Sequence, residues 1–377
     1  RDGHGMSLDN NSTRELGKGF ALFAIAFGVL VVVLSLLSVI GLPETATSPL
    51  FAVLTLAAFV GIGFTARTMD LPDFQVASRR VPAALNGMAT AAAYIGSAGF
   101  LGLAGLFFAG NRAALAIVIG SVVGFLALAI LVAPYLRRAA AVTVADFLAI
   151  RFGSRAVRLA AYLVTLGCSG ALLVAEAAAG GQIVTMLLPI EFNSAIILFV
   201  VVVLACTLLG GMSGVTMTAL AQYAVLAIAF LTPVTVLSLQ YFGLPLPQLV
   251  YGRALVGITG SGDLPAIIDA GNRFLPVAQL DQFHMVVLAV CIAAGVAALP
   301  HVVTRSATTL DADSARQSVG WALFFVLIVA ATAPAYGIFA QLAQRASPSA
   351  TPIDAAFVAL ELPLIADMLP AFFSLVA

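Results

Sequence analysis

From Phe192 to Gly252 the chain runs without one Asp, Glu, Lys or Arg. That stretch is far longer than the ~20 apolar residues that cross the hydrocarbon core of a bilayer. A single span would not use it up, and a water-exposed surface is not built without charge. The string GGMSG at Gly210–Gly214 supplies a turn near its middle, so the reading is two apolar helices joined by glycine. The whole chain has the same character: 62% of its 377 residues are hydrophobic and 9% are charged, with a mean hydropathy of +1.11. Soluble domains are nearer about 45–50% apolar and about 25% charged. A soluble enzyme, a disordered protein and a secreted disulfide scaffold are excluded. Seventeen basic residues balance seventeen acidic ones, leaving no cationic surplus for a nucleic-acid partner. What remains is an all-α, polytopic transmembrane helical bundle whose surroundings are the lipid bilayer.

Charged residues punctuate the apolar runs and predict helices at about 20–42, 48–66, 82–110, 114–136, 158–188, 194–211, 215–239, 283–304, 318–343 and 355–377. With the N-terminus in the cytoplasm, only Arg112, Arg253, Arg273 and Arg345 of the 17 basic residues fall outside. This is a strong positive-inside bias, as expected for a multi-pass protein of the cell's inner, cytoplasmic membrane. The apolar run from Gly19 to Pro43 is too long for a cleavable signal peptide. Residues 139–157 mix charge with apolar spacing and read as a short interfacial helix. Cys168, Cys206 and Cys291 lie inside apolar runs without metal or redox spacing and read as small buried packing residues.

Three features stand out from this apolar background. In the third helix, Gly96, Gly99, Gly102 and Gly105 recur every third residue. Each glycine costs a helix interior about 1 kcal/mol relative to alanine. Two compatible readings follow: the helix packs closely through a small-residue face, and it is discontinuous, with freed carbonyls and a half-helix end available to ions and substrate. Tyr94 and Ser97 are the polar side chains near such a break. Glu176 lies deep in the fifth apolar helix, where an acid costs about 2.5–3.5 kcal/mol on insertion scales. It either faces a polar cavity or is hydrogen-bonded locally, and Gln182 could share its face. His301 follows Pro300, which removes a helical donor. That string predicts a second interrupted span, although a histidine at a helix end bonded to backbone or water accounts for it equally. Arg305 and the LDADSAR segment read as solvated loop charges. No HExxH, Walker A, GxSxG or paired-carboxylate spacing occurs, so no enzyme is expected.

The strings DFQVASRRVPAALNGMATAAAYIGSAGFLGLAGLFFAG, LLGGMSGVTMTALAQYAVLAIAFLTPV and GVAALPHVVTRSATTLDADSARQSV resemble a cytoplasmic loop with the first core helix, a GG turn with its following helix, and the interrupted sixth core helix of the sodium:solute symporter family. The last two resemble most its acetate and short-monocarboxylate branch. The resemblance covers roughly residues 48–377. It implies a LeuT-like inverted repeat: a tail at 1–19, two accessory helices at 20–67, a first five-helix core repeat at 82–239, an extracytoplasmic loop at 240–282 and a partial second repeat at 283–377. It further implies a sodium ion, the co-transported cofactor, held by the backbone carbonyls of Ala92 and Ile95. Substrate contacts are expected from Gly96, Ser97, Glu176, Gly295, Val296, Ala297 and Ala298, with Tyr94, Thr218, Gln222 and His301 as weaker candidates.

Three departures from the family pattern follow. The sequence stops at Ala377, before the family's Ser/Thr pair on core helix eight, with Ser374 too early to serve, so the fold is expected to be incomplete at the C-terminus. Met217 and Ala219 occupy places where the family carries a Trp and a polar residue. The span at 20–42 is an addition. The functional expectation is a sodium-coupled symporter that imports a small organic solute, with acetate or another short-chain monocarboxylate as the best candidate. The alternative is the membrane sensor module of a signalling kinase built on the same fold. Oligomeric state and solute identity are not legible in the sequence.

Overall fold

The computed structural model describes residues 44–65, 67–109, 113–259, 282–346 and 358–365, with positions 25, 29, 32, 33, 36 and 40. Twelve helices are labelled in chain order: α1 Glu44–Thr65, α2 Leu71–Val76, α3 Ala83–Phe108, α4 Ala113–Arg138, α5 Val144–Phe152 and α6 Arg155–Leu187. They continue with α7 Phe192–Phe242, α8 Tyr251–Thr259, α9 Gln282–Ala298, α10 Pro300–Val303, α11 Ala312–Ala346 and α12 Val358–Ile365. No strand occurs among the described residues. The protein is a polytopic helical bundle. Among the described residues, five helices are long and apolar enough to cross a membrane, and the bent pair Phe283–Ala298 and Pro300–Thr308 makes a sixth if it is one span. Pro49–Thr65 and Phe192–Leu208 are shorter apolar helices. The N-terminal tail, most of the expected 20–42 helix, residues 260–281 of the expected extracytoplasmic loop and the end of the chain including Ser374 lie outside the described residues.

The predicted turn at Gly210–Gly214 is a kink inside α7. Gly211 takes φ 53°, ψ −147°, a conformation essentially restricted to glycine. A Cβ there would lie 2.6 Å from the Phe74 carbonyl oxygen. Phe74 and its neighbour Asp73, on α2, clamp this kink: the Ser213 hydroxyl donates to the Asp73 carboxylate at 2.9 Å and that of Ser78 does so at 3.3 Å. Ala77, Ser78 and Arg79 follow in left-handed conformation, which costs non-glycine residues about 1–2 kcal/mol each. Their hold on the neighbours is part of the compensation: the Arg79 guanidinium donates to the Ala140 carbonyl at 2.9 Å and the Val81 amide to the Thr308 carbonyl at 3.2 Å. Two of the recognisable sequence strings, at 73–81 and 210–214, therefore meet at one end of the bundle, beside the end of the third.

Packing in the middle relies on close approach. α3 lies along α11, where a Cβ on Gly87 would meet that of Trp321 at 2.5 Å, and α4 lies along α9, where a Cβ on Gly124 would meet that of Val296 at 2.6 Å. Tyr336 and Tyr223 tie α11 to α7 by donating to the Phe230 and Phe325 carbonyls at 2.7 and 2.8 Å. By contrast α6 carries Leu159, Leu163, Val164, Leu166, Leu173 and Val174 largely exposed, an apolar face of the kind that meets lipid. The cysteine expectation holds for Cys206, which is buried. Cys168 and Cys291 are exposed, because they fall on outer helix faces.

The segment expected to be interfacial contains α5. The Thr143 hydroxyl caps it, accepting from the Asp146 amide at 3.1 Å and donating to the Asp146 carboxylate at 2.8 Å. Arg158 and Tyr162 of α6 donate to the same carboxylate at 2.6 and 3.0 Å. Partial burial pushes the Asp146 pKa up, but the hydrogen bonds from Thr143, Tyr162 and Arg158 outweigh it and hold the group below its ordinary value. A lowered folded pKa contributes stability above the unfolded value near 4, which is lost as pH falls through the folded value. Asp146→Asn is therefore expected to destabilise by at most about 1 kcal/mol at neutral pH, since the pair is largely solvated. Thermal unfolding should give variant and wild type the same stability once pH is well below 4; a gap that persists there would remove the ionic contribution.

α11 begins at Ala312 rather than near 318. The Asp311 carboxylate accepts from the Ser314 amide at 2.7 Å, and this bond and its kin hold the Asp311 pKa below the usual carboxylate range. The LDADSAR segment is thus a helix start rather than a free loop.

Candidate functional site

α3 breaks at Gly96, at φ 55°, ψ −176°. The break bears out the discontinuous reading of the glycine repeat; a Cβ on Gly102 would meet nothing within 4 Å and one on Gly99 only ordinary neighbours, so neither of these two marks close packing. The break turns the next two amides out of the helix. Ser97 N–H and Ala98 N–H donate to the Glu176 carboxylate at 2.9 and 3.3 Å, and the Ser97 hydroxyl donates to the same oxygen at 2.6 Å. Glu176 therefore caps the second half of α3 from α6, 79 residues away. Charge-assisted hydrogen bonds contribute about 1.5–3 kcal/mol each, and a helix N-terminus adds to them. Three of them offset the insertion cost of an acid in an apolar helix. The amides that ordinarily bond the Ala93 and Tyr94 carbonyls are thereby diverted. Beside the break, the Tyr94 hydroxyl is bonded to that of Ser121 at 2.5 Å.

The second interruption is where Pro300 predicts it. Leu299 is extended at φ −57°, ψ 116°, and the two halves differ in direction by 47°. Both breaks border one cavity of about 950 Å³, near the upper end of the roughly 300–1,000 Å³ usual for small-molecule sites. Its wall includes Ala92, Tyr94, Ile95, Gly96, Ser97, Glu176, Thr218, Gln222 and His301. Thr218 is buried, its hydroxyl bonded to the Gly214 carbonyl at 2.9 Å. The expectation for Gly295–Ala298 is different. None of the four belongs to the cavity wall: Val296 is buried against Gly124 of α4, and Gly295 and Ala298 are exposed. The register of α9 turns this stretch away, and the cavity is reached from Leu299 onward. Gln182 is exposed and also outside the wall.

Sequence reasoning missed two residues. Arg305, taken for a solvated charge, is 4% exposed and lines the cavity. Asn86, 1% exposed, donates to the Arg305 carbonyl at 3.0 Å and to the Ser318 hydroxyl at 2.8 Å, and accepts from Thr308 at 3.0 Å. It fastens the start of α3 to the end of the broken pair and to α11. An Asn opening an apolar helix is a signal of sorts; for Arg305 there is none, because TRSATTLDAD reads locally as a polar loop. Among the described residues no group of three or more His, Cys, Asp or Glu is placed to hold a metal ion.

A multi-pass membrane protein with two broken helices facing one inner cavity is the class this geometry defines. The profile of the sodium:solute symporter family matches residues 74–377, and the chain belongs to that family. Among curated relatives, an uncharacterized symporter of Cupriavidus necator is 42% identical over 211 residues, 54% of this chain and 31% of that protein. A monocarboxylic acid transporter of Corynebacterium glutamicum is 32% identical over 288 residues, 73% of this chain and 51% of that protein. The chain thus spans about half the length, or less, of these relatives. A solved Na+-coupled sialic acid symporter, substrate-bound and outward-open, aligns with 15% identity and a TM-score of 0.45, over 89% of this chain and 82% of that one.

Proposed function

We propose that the protein is a sodium-coupled secondary transporter that imports a small organic solute, with a short-chain monocarboxylate such as acetate as the substrate. The observation that carries this reading is the shared cavity between the break at Gly96 and the break at Leu299–Pro300, in a chain of this family. Broken helices free backbone carbonyls for a cation and half-helix ends for an anion. In this reading the carbonyls of Ala92 and Ile95, just before the break, hold sodium. Gly96 and Ser97 contact the solute, and Glu176, Tyr94, Thr218, Gln222 and His301 shape the same cavity. Residues 82–239 act as the first inverted repeat and 283–377 as part of the second, rocking about it, with the N-terminus on the cytoplasmic side of the inner membrane. The monocarboxylate assignment takes its support from the relative named as a monocarboxylic acid transporter.

The test is uptake of labelled acetate into proteoliposomes of the full-length protein under an inward sodium gradient, with an equal potassium gradient as control. Uptake above the equilibrium level is expected with sodium alone. Flux indifferent to the sodium gradient would sink sodium coupling.

A further inference from the structure

Arg305 is the group in the cavity that the symporter reading leaves without work. It is 4% exposed, it lines the cavity, and its Nη1 has no hydrogen-bond partner. No carboxylate pairs with it among the described residues. The acid that shares the wall, Glu176, is engaged by the Ser97 and Ala98 amides and the Ser97 hydroxyl. An isolated buried charge is a heavy penalty, relieved when an opposite charge and hydrogen bonds reach it. The backbone beneath Arg305 is fixed firmly: its carbonyl accepts from Asn86 at 3.0 Å and from the Thr308 hydroxyl at 2.7 Å. Arg305, with its Nη1 unpaired, is thus part of a built wall. Much of the rest of that wall is aliphatic, including Leu103, Ile183, Val184, Leu226 and Val329.

We propose that Arg305 is the anion seat of the cavity, binding the carboxylate of a short-chain carboxylate whose alkyl end lies against the aliphatic wall. The guanidinium fork matches a carboxylate with two parallel N–H donors, and the ligand supplies the negative charge that the protein withholds from this arginine. The inference rests on the monocarboxylate reading and gives it a residue. It also separates the head-group site from the end of the second α3 half-helix, which Glu176 already caps.

The experiment is ligand-induced thermal stabilisation of the purified full chain in detergent. The probes are sodium propionate, the isosteric propionamide and sodium chloride. Wild type, Arg305→Lys and Arg305→Gln are each scored against their own unliganded melting temperature. Propionate is expected to stabilise wild type, and propionamide to have no effect. Arg305→Gln should bind propionate roughly 10- to 100-fold more weakly, the loss of a charge-assisted pair. Arg305→Lys, which keeps the charge but not the fork, should fall between, and carries the test if the glutamine variant does not fold. Propionate binding undiminished in these variants overturns the role of Arg305 and leaves the monocarboxylate reading standing. Stabilisation of wild type by chloride and not propionate, lost in Arg305→Gln, supports the anion seat and overturns the monocarboxylate reading. A wild type that responds to neither overturns both.

Discussion

Gly96→Ala is expected to lower the melting temperature and to cut sodium-driven uptake by more than tenfold, while Gly102→Ala, two turns along the same helix, leaves both intact. Gly96 has φ 55° and ψ −176°, where a side chain brings strain of about 1–3 kcal/mol. The added Cβ would also fall 2.8 Å from the Glu176 carboxyl carbon and collide with its Oε1. The chain has two ways out, and both damage the site. It can restore a regular helix through position 96, which takes the Ser97 and Ala98 amides away from Glu176, or it can push Glu176 off its cap. About 1.4 kcal/mol is a factor of ten in any equilibrium, so the strain alone reaches the expected effect. At Gly102 nothing lies within 4 Å of the new methyl group, and alanine is the better helix former by up to about 1 kcal/mol. Purified variants compared by thermal unfolding and by uptake in proteoliposomes decide the matter. If the two substitutions behave alike, the break at Gly96 is not what organises the cavity.

The contrast between these two glycines also marks what the sequence could tell. Four glycines at a spacing of three announce a weak helix, and Pro300 announces another, because both signals act on the backbone of their own segment. The breaks were therefore legible, as was the glycine turn in the long uncharged stretch. Which glycine carries the break was not, since Gly96 is distinguished from Gly99 and Gly102 by Glu176 on another helix. Glu176 was conspicuous as an acid in an apolar run, yet its partners lie 79 residues away. Arg305 was misread because its surroundings come from distant segments: Asn86 of α3 donates to its carbonyl and to Ser318 of α11. The Gly295–Ala298 stretch falls off the cavity wall for a related reason: helical register decides which residues face inward, and Val296 is committed to Gly124.

Removing the cap should reveal how firmly the half-helix depends on Glu176. Glu176→Ala leaves the Ser97 and Ala98 amides without their acceptor, at about 1–3 kcal/mol for each buried unsatisfied donor. The cavity borders both, so water can recover part of this and the lower end, about 2 kcal/mol in all, is the expectation. Ser97→Ala removes the hydroxyl that donates at 2.6 Å but keeps both amide bonds, and should cost about 1 kcal/mol. The two changes act on one carboxylate, so they should not add: a double-mutant cycle by thermal unfolding is expected to give a coupling of about 0.5–2 kcal/mol. Additive losses would mean that the hydroxyl and the carboxylate are stabilised independently. Glu176→Gln separates charge from hydrogen bonding, because the amide oxygen can still accept while the attraction to the half-helix N-terminus is lost. If the cap is chiefly a satisfied set of donors, Glu176→Gln retains most of the stability that Glu176→Ala loses. If its charge is what holds the broken helix open, the glutamine variant falls with the alanine one. The three-donor geometry around a single carboxylate oxygen favours the second outcome, since one neutral amide oxygen does not draw three donors as a carboxylate does.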